Sequence, residues 1–244
     1  EKEIRAAYAD EDAVVRANML KNHGWLRTDL PGTVWSSLLG DSTPEVRLLA
    51  LPYAADALPP QDFIEALEPV EGRKWIRWNR AIARVAGQFG GRPVTDLLQK
   101  LADSTDSRTA TEATISLFLV NPDSPEDHPA MELLHNDQLS ADQARRLMDG
   151  LRLLPRPTAI ETFESLLSLR DSRSRATAVR YWLNLLEGPP PEDRVVELLR
   201  DSSNEVRRAV STRLIQTPEA LSREVLDALV FNRDESIRQM AFTV

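Results

Sequence analysis

Cysteine is absent from all 244 residues, which excludes disulfides, thiolate nucleophiles, iron–sulfur clusters and thiolate-held zinc. The redox compartment stays open, because a cysteine-free chain is at home in either. Histidine is nearly absent, with three copies, and glycine is scarce, with nine. Accordingly there is no Gly-x4-Gly-Lys-Ser/Thr loop, no Gly-x-Gly-x-x-Gly turn and no Gly-x-Ser-x-Gly elbow, and no cofactor is expected. Positive charge is in deficit. Thirty Lys and Arg against 38 Asp and Glu leave a net −8, which opposes generic attraction to nucleic acid or anionic lipid. No apolar run approaches the roughly 20 residues that cross a bilayer, and no basic start leads into an apolar stretch. No membrane contact is expected. The chain opens on Glu1, so upstream residues are expected to have been removed. The cytoplasm is the default compartment, and the periplasm applies if an export signal was among those residues.

What is present is a recurring phrase. Leu-Leu-Gly-Asp41-Ser-Thr-Pro-Glu-Val46-Arg47 returns as Leu-Leu-Arg-Asp201-Ser-Ser-Asn-Glu-Val206-Arg207. A first copy runs from Asp10 to Arg16 and a last from Asn232 to Arg238, with the Asp or Asn always six positions before the Arg. Weaker copies start at Glu71, Asp103, Asp137 and Asp171, so successive anchors lie 31, 30, 32, 34, 34, 30 and 31 residues apart. In the third copy two registers compete, Ile76-Arg77 and Trp78-Asn79. In the next three, Thr109, Gln143 and Thr177 stand where the arginine would be.

Apolar residues recur at helical spacing before each anchor (Val195, Val196, Leu198, Leu199) and after it (Val206, Ala209, Val210, Leu214). Each unit therefore reads as two short helices. The turn between them carries Ser or Thr to cap the second helix, Pro44 for a first helical turn, and acids that favour the positive helix end. The breaks Asn121-Pro122-Asp123-Ser124-Pro125 and Gly188-Pro189-Pro190-Pro191 fall between units and read as local lengthening, leaving 1–244 as a single domain. No stretch alternates like a half-buried strand, so the class is all-α. Helices this short cannot bury an apolar face alone, and stacking on neighbours supplies the core. The last phrase stops inside its second helix at Val244, and a longer array is expected.

At these residues the chain resembles the HEAT-repeat family, in particular the short bacterial HEAT-like repeats of the phycobilisome-lyase type. The resemblance covers essentially all of 1–244. It implies a right-handed α-solenoid of about eight helical hairpins with a period of about 31 residues, whose second helices line the concave side. It also implies a ladder of phrase aspartates and arginines between adjacent repeats, making Arg16, Arg47, Arg207 and Arg238 scaffold residues. Classical HEAT and armadillo units are longer, at roughly 40–47 residues.

Three local features invite chemistry. His128, Glu132 and His135 lie at i, i+4 and i+7 and imitate half of a carboxylate–histidine metal site. The two-His zinc phrase is missing, so an exposed polar helix face is the better reading and no metal is expected. Arg73-Lys74-Trp75-Ile76-Arg77-Trp78-Asn79-Arg80, with Arg84 a turn further, is the most unusual composition. Cations beside indoles anchor peptides, phosphates or bases, whereas the plainer reading puts a tryptophan in the core and lets the arginines reach outward. Along the presumed concave side, Tyr181, Trp182, Arg208 and Arg213 are further candidates, while Trp25 and Trp35 read as packing residues. The partner-binding set is thus Trp75, Arg77, Trp78, Arg80, Arg84, Trp182 and Arg208, with no catalytic residue. The expected function is a non-enzymatic scaffold presenting a concave helical surface to a protein or peptide. The alternative is a DNA-binding or DNA glycosylase-type enzyme using the Trp/Arg patch at 73–84, which the net charge disfavours. Bilin lyase chemistry is suggested only by kinship of the repeat, and no residue can be assigned to it.

Overall fold

The computed structural model describes residues 2–26, 29–67, 76–122, 125–216 and 221–242. Among them there is no β-strand, and no helix is long and apolar enough to cross a membrane. Residue contacts divide the chain into two compact units, Glu1–Asn121 and Pro122–Val244. The division falls at the Asn121-Pro122 break, where the sequence suggests only a lengthened connection.

The first unit holds α1 (Lys2–Ala7), α2 (Ala13–Lys21), α3 (His23–Leu26), α4 (Gly32–Leu39), α5 (Pro44–Ala57), α6 (Pro60–Ala66), α7 (Ile76–Ala86), α8 (Arg92–Ala102) and α9 (Ser107–Val120). The second holds α10 (Pro129–His135), α11 (Ala141–Leu151), α12 (Arg156–Ser165), α13 (Ser172–Leu185), α14 (Glu192–Leu199), α15 (Asn204–Leu214), α16 (Arg223–Val230) and α17 (Glu235–Ala241). The helices that follow a phrase turn begin at 13, 44, 76 and 107 in the first unit and at 141, 172, 204 and 235 in the second. Those starts are spaced more evenly than the anchors read from sequence.

Packing is between neighbours. In the first unit α2 packs on α5, α5 on α7 and α7 on α9, while α4, α6 and α8 form a second row joined to the first by α4–α5 and α8–α9. In the second unit α11, α13, α15 and α17 follow one another in the same way, with α12, α14 and α16 behind them. No helix here exceeds 14 residues, a length marginal in isolation, so each is held by the side chains it shares with the next. Trp35, Val46, Leu51, Phe63, Trp78 and Ile82 are among the buried residues of the first unit, and Phe163, Val179, Trp182, Leu199, Val206 and Leu229 among those of the second.

Among the described residues, a guanidinium ties one turn to the next at three places. Arg16 donates from Nη1 to the carbonyls of Asp10 (2.6 Å) and Glu11 (3.0 Å) in its own turn. Its Nε and Nη2 form a two-pronged pair with the Asp41 carboxylate of the following turn, at 2.7 and 2.9 Å. Arg175 repeats the arrangement. It donates to the carbonyls of Leu169 and Arg170, and forks onto Asp201 at 2.8 and 2.9 Å. Arg207 grips the carbonyls of Asp201 and Ser202 and reaches Asn232 Oδ1 at 3.2 Å. Arg238 holds the carbonyls of Asn232 and Arg233. The acceptors do double duty, since Asp41, Asp201 and Asn232 also accept from the amides of Thr43, Ser203 and Asp234, which shapes the turn.

The weak phrases have a different register from the one read in sequence. Around strong copies the anchor lies two residues before the helix cap, as Asp41 does before Thr43 and Asp201 before Ser203. Asp171 is itself the cap of α13, accepting from the Ser174 amide, so the arginine of that copy is Arg175 and not the position of Thr177. Likewise Asp106 caps α9, and Ser104 Oγ accepts from the Asp106 amide in the anchor's place, while Asp103 merely ends α8. Asp137 follows α10 with φ of 56°, a left-handed helix stop, and Ser140 caps α11 with Gln143 closing a capping box. In the third copy Trp78 is 2% exposed and occupies the buried site of Val46 and Val206, which selects the Trp78-Asn79 register.

One buried polar cluster stands apart. In the first unit the His23 ring lies edge-on to Trp35 and Tyr53, and its Nδ1 is 2.9 Å from the Tyr8 hydroxyl. Burial holds this imidazole below its usual 6.5, so the neutral form belongs to the folded state.

Two predictions follow from these contacts. Arg175→Ala strands Asp201 in a turn where its side chain is 14% exposed. It is expected to cost about 2–3 kcal/mol in urea unfolding, whereas truncating the exposed Arg145–Asp142 pair costs about 0.5 kcal/mol or less. For pH, burial pushes the Asp41 and Asp201 carboxyls up, but hydrogen bonds from Arg16 and Arg175 and from the turn amides outweigh it, leaving both below the usual 3.8. Their contribution is complete above about 3.8 and is lost as pH falls through the lowered value. His23 contributes above about 6.5 and loses that contribution as pH falls below it. Burial lowers His128 in the same direction, so urea midpoints measured against pH should drop in two steps, and His23→Phe should shrink the upper step while leaving the lower one unchanged.

Candidate functional site

Helical geometry decides which arginines are scaffold and which are surface. Successive residues point about 100° apart around a helix, so neighbours in sequence face different directions. On α15, Arg207 is 4% exposed and locked in the ladder, while the Arg208 side chain is 57% exposed. On α13, Arg175 lies in the ladder, and Arg173, Thr177, Arg180 and Asn184 follow at i, i+4, i+7 and i+11 on a different face. Glu205, Arg208, Thr212 and Gln216 make the matching stripe on α15 and just beyond its end.

Between these stripes lies an open groove of about 680 Å³. Its floor includes the buried Leu183 and Ala209, and its walls carry Arg173, Arg180, Arg208 and Arg213 against a single lining acid, Glu205. Arg208 donates from Nε to Asp234 at 2.9 Å, which fixes its guanidinium. Hydrogen bonds from Ser236 and Arg208 hold the Asp234 carboxyl down at about 2, so it keeps its charge. Arg180 donates to Thr177 Oγ1 at 3.3 Å, and Arg213 to Gln216 Oε1 at 3.5 Å. A smaller hollow lined by Asp142, Arg145, Met148, Arg173 and Thr177 adjoins it on the α11 side. In a chain of net −8, four arginines facing one lining glutamate is a local reversal of charge.

The candidates read from sequence separate into three groups. Trp75 lies outside the described residues. Trp78 and Trp182 are in the core, 2% and 1% exposed, so neither ring is available to a partner. The Arg47 guanidinium lies 5.4 Å from the centroid of the Trp78 ring. Arg80 is half-buried and points toward Asp106, 3.9 Å away, making the same 26-residue step as Arg175 to Asp201. Arg77, Arg84 and Arg208 remain exposed. Arg77 and Arg84 are the second and ninth residues of α7, the positions that Arg173 and Arg180 hold on α13. Sequence reasoning missed Arg173 and Arg180, although spacing from the helix cap would have found them.

Other features have structural roles. Tyr181 packs on Phe163, lies under the Arg152 guanidinium and donates its hydroxyl to Asp149, joining α13 to α11 and α12. Trp35 is buried as expected, but Trp25 is 89% exposed because the four-residue α3 turns it away from the core. His128 caps α10, its Nδ1 accepting from the Ala130 amide, and His135 Nδ1 contacts the Met131 carbonyl. Both rings therefore serve the backbone. Among the described residues no three His, Asp or Glu side chains gather as a metal site would require.

No protein-family model matches the chain, and no curated protein matches it. A solved structure described as an engineered protein, Northeast Structural Genomics Consortium Target OR329, is similar at 16% identity, covering 99% of this chain and 93% of that one, with a TM-score of 0.25. An overlap that small carries no argument about fold or function.

Arg207 and Arg208 separate the two roles on adjacent residues. Arg207→Ala is expected to lower stability by about 2–3 kcal/mol, because turn carbonyls and Asn232 lose a buried donor. Arg208→Ala should cost less than Arg207→Ala, because Asp234 loses one guanidinium bond but keeps two from Ser236, so its urea midpoint should fall between those of Arg207→Ala and the wild type.

Proposed function

We propose that each unit is a stack of four short HEAT-like hairpins, of the α-solenoid kind, and that the chain is a non-enzymatic scaffold whose second-helix face receives a segment of a protein partner. The near-constant step between second-helix starts, the packing of each helix on its neighbours and the arginine ladder all support the repeat reading. The single observation that carries the function is the groove between α13 and α15. It is long and open, with an apolar floor and polar walls, as suits an extended chain rather than a small compact molecule. Repeat proteins expose much surface per residue and recognise partners along such helix faces. The DNA reading of the patch at 73–84 required exposed indoles for stacking, and burial of Trp78 removes one of them.

Selection from a library of displayed random peptides tests the proposal. Peptides enriched on the wild-type chain should bind about tenfold more weakly, a loss of roughly 1.4 kcal/mol, when Asn184→Trp and Thr212→Trp fill the groove. Failure to enrich any peptide, or equal binding to the filled variant, would overturn it.

A further inference from the structure

We infer that the groove between α13 and α15 takes an acidic, extended protein segment, a deepening that rests on the scaffold reading above. Length comes first. The 14 residues of α13 span about 21 Å at 1.5 Å per residue, which matches about six residues of extended chain. Charge decides the rest. The walls carry Arg173, Arg180, Arg208 and Arg213, and the acids in reach are Glu205 and Asp234, which leaves the groove net positive inside an acidic chain.

Position within the groove adds detail. Arg173 and Glu205 are each the second residue of their helices and line the groove at the end where both helices begin, so the one lining acid sits at that end. Arg180, Arg208 and Arg213 lie further along and are the residues that grip. Guanidinium groups favour carboxylates because the planar fork matches two oxygens. Arg208 is already held by Asp234, so it gives up little side-chain freedom on binding. Thr177, Thr212 and Asn184 stand between the charges as neutral partners for a backbone. Nucleic acid offers the same sign of charge, but it carries its charge over far more than one groove, and the acidic remainder of the chain would repel it.

Fluorescence anisotropy on the full chain tests the inference, with a labelled peptide holding a run of six glutamates, a matched glutamine peptide and a single-stranded oligo-dT. At about 50 mM salt, where surface charge is only partly screened, the glutamate peptide should bind at least about tenfold more tightly than the glutamine peptide. Arg180→Glu with Arg213→Glu should weaken it by about tenfold or more, and the control pair Arg92→Glu with Arg223→Glu, of identical charge change on other exposed positions, by less than about twofold. Neither arginine of the test pair belongs to the ladder. Unchanged urea midpoints confirm folding, and Thr212→Glu repeats the test with a smaller charge change should the double variant unfold. Three results would overturn the inference: equal binding of the two peptides, equal loss in the control pair, or oligo-dT binding more tightly than the glutamate peptide. If library selection instead yields neutral or basic peptides that still require the open groove, the acidic class fails and the scaffold reading stands. If no peptide requires the groove, both fail.

Discussion

The structure depends on one guanidinium held from two sides. The carbonyls at the start of a turn, five and six residues before the arginine, accept from one edge, and the Asp or Asn of the next turn accepts from the other. Neither set alone would justify taking a charged side chain out of water, because desolvation costs more than a single bond returns. Together they engage four of the five N–H donors of Arg16 and of Arg175. The same acceptor also shapes its own turn by bonding an amide two residues on, so forming a turn and joining it to the one before become one event. Helices of four to fourteen residues, each too short to persist alone, are thereby placed in fixed register on their neighbours.

Where the ladder is incomplete, other groups fill its positions. Ser104 replaces the anchor carboxylate, and Asn79 stands where the arginine would be while Arg80, one residue on, points toward Asp106. Arg208 makes the same diagonal step to Asp234 beside the ladder bond of Arg207. The repeat is therefore a geometric requirement that several side chains can meet, and not a fixed set of letters.

This explains what could and could not be read from the sequence. All-helical class, the turns at Asp41 and Asp201, and the structural role of Arg16 and Arg207 were legible because they use full-length phrases. The weaker copies were placed by spacing to the nearest acid, and several acids lie within three residues of each turn. Spacing to the nearest acid picks Asp103, Asp137 and Asp171 as anchors, whereas Asp103 and Asp137 end helices and Asp171 caps one, roles chemically distinct from an anchor. Composition misled at the tryptophans. An indole among arginines invites a binding role, yet Trp78 fills the site that valine fills elsewhere, and burial of a large ring outweighs the local charge. The exposed arginines on α13 were overlooked because they are scattered in sequence and gather only when counted from the helix cap.

The two sets of arginines also show how a scaffold can vary its surface without losing its fold. Ladder residues occupy the position four residues after the cap, and groove arginines occupy positions two and nine after it on α13 and five and ten on α15. The helix separates them by direction, so substitutions at Arg173 or Arg180 leave the turn-to-turn bonds intact, whereas Arg208 carries one of its own to Asp234. Arg77 and Arg84 on α7 and Arg173 and Arg180 on α13 share the outward positions, whereas α11 carries Asp142 and Asp149 there. Charge on this face thus differs from helix to helix while the buried contacts stay the same. On the scaffold reading proposed above, a partner would be discriminated by which stripe it meets, and the arginine-lined stripes of α13 and α15 would select against a basic segment as firmly as they attract an acidic one.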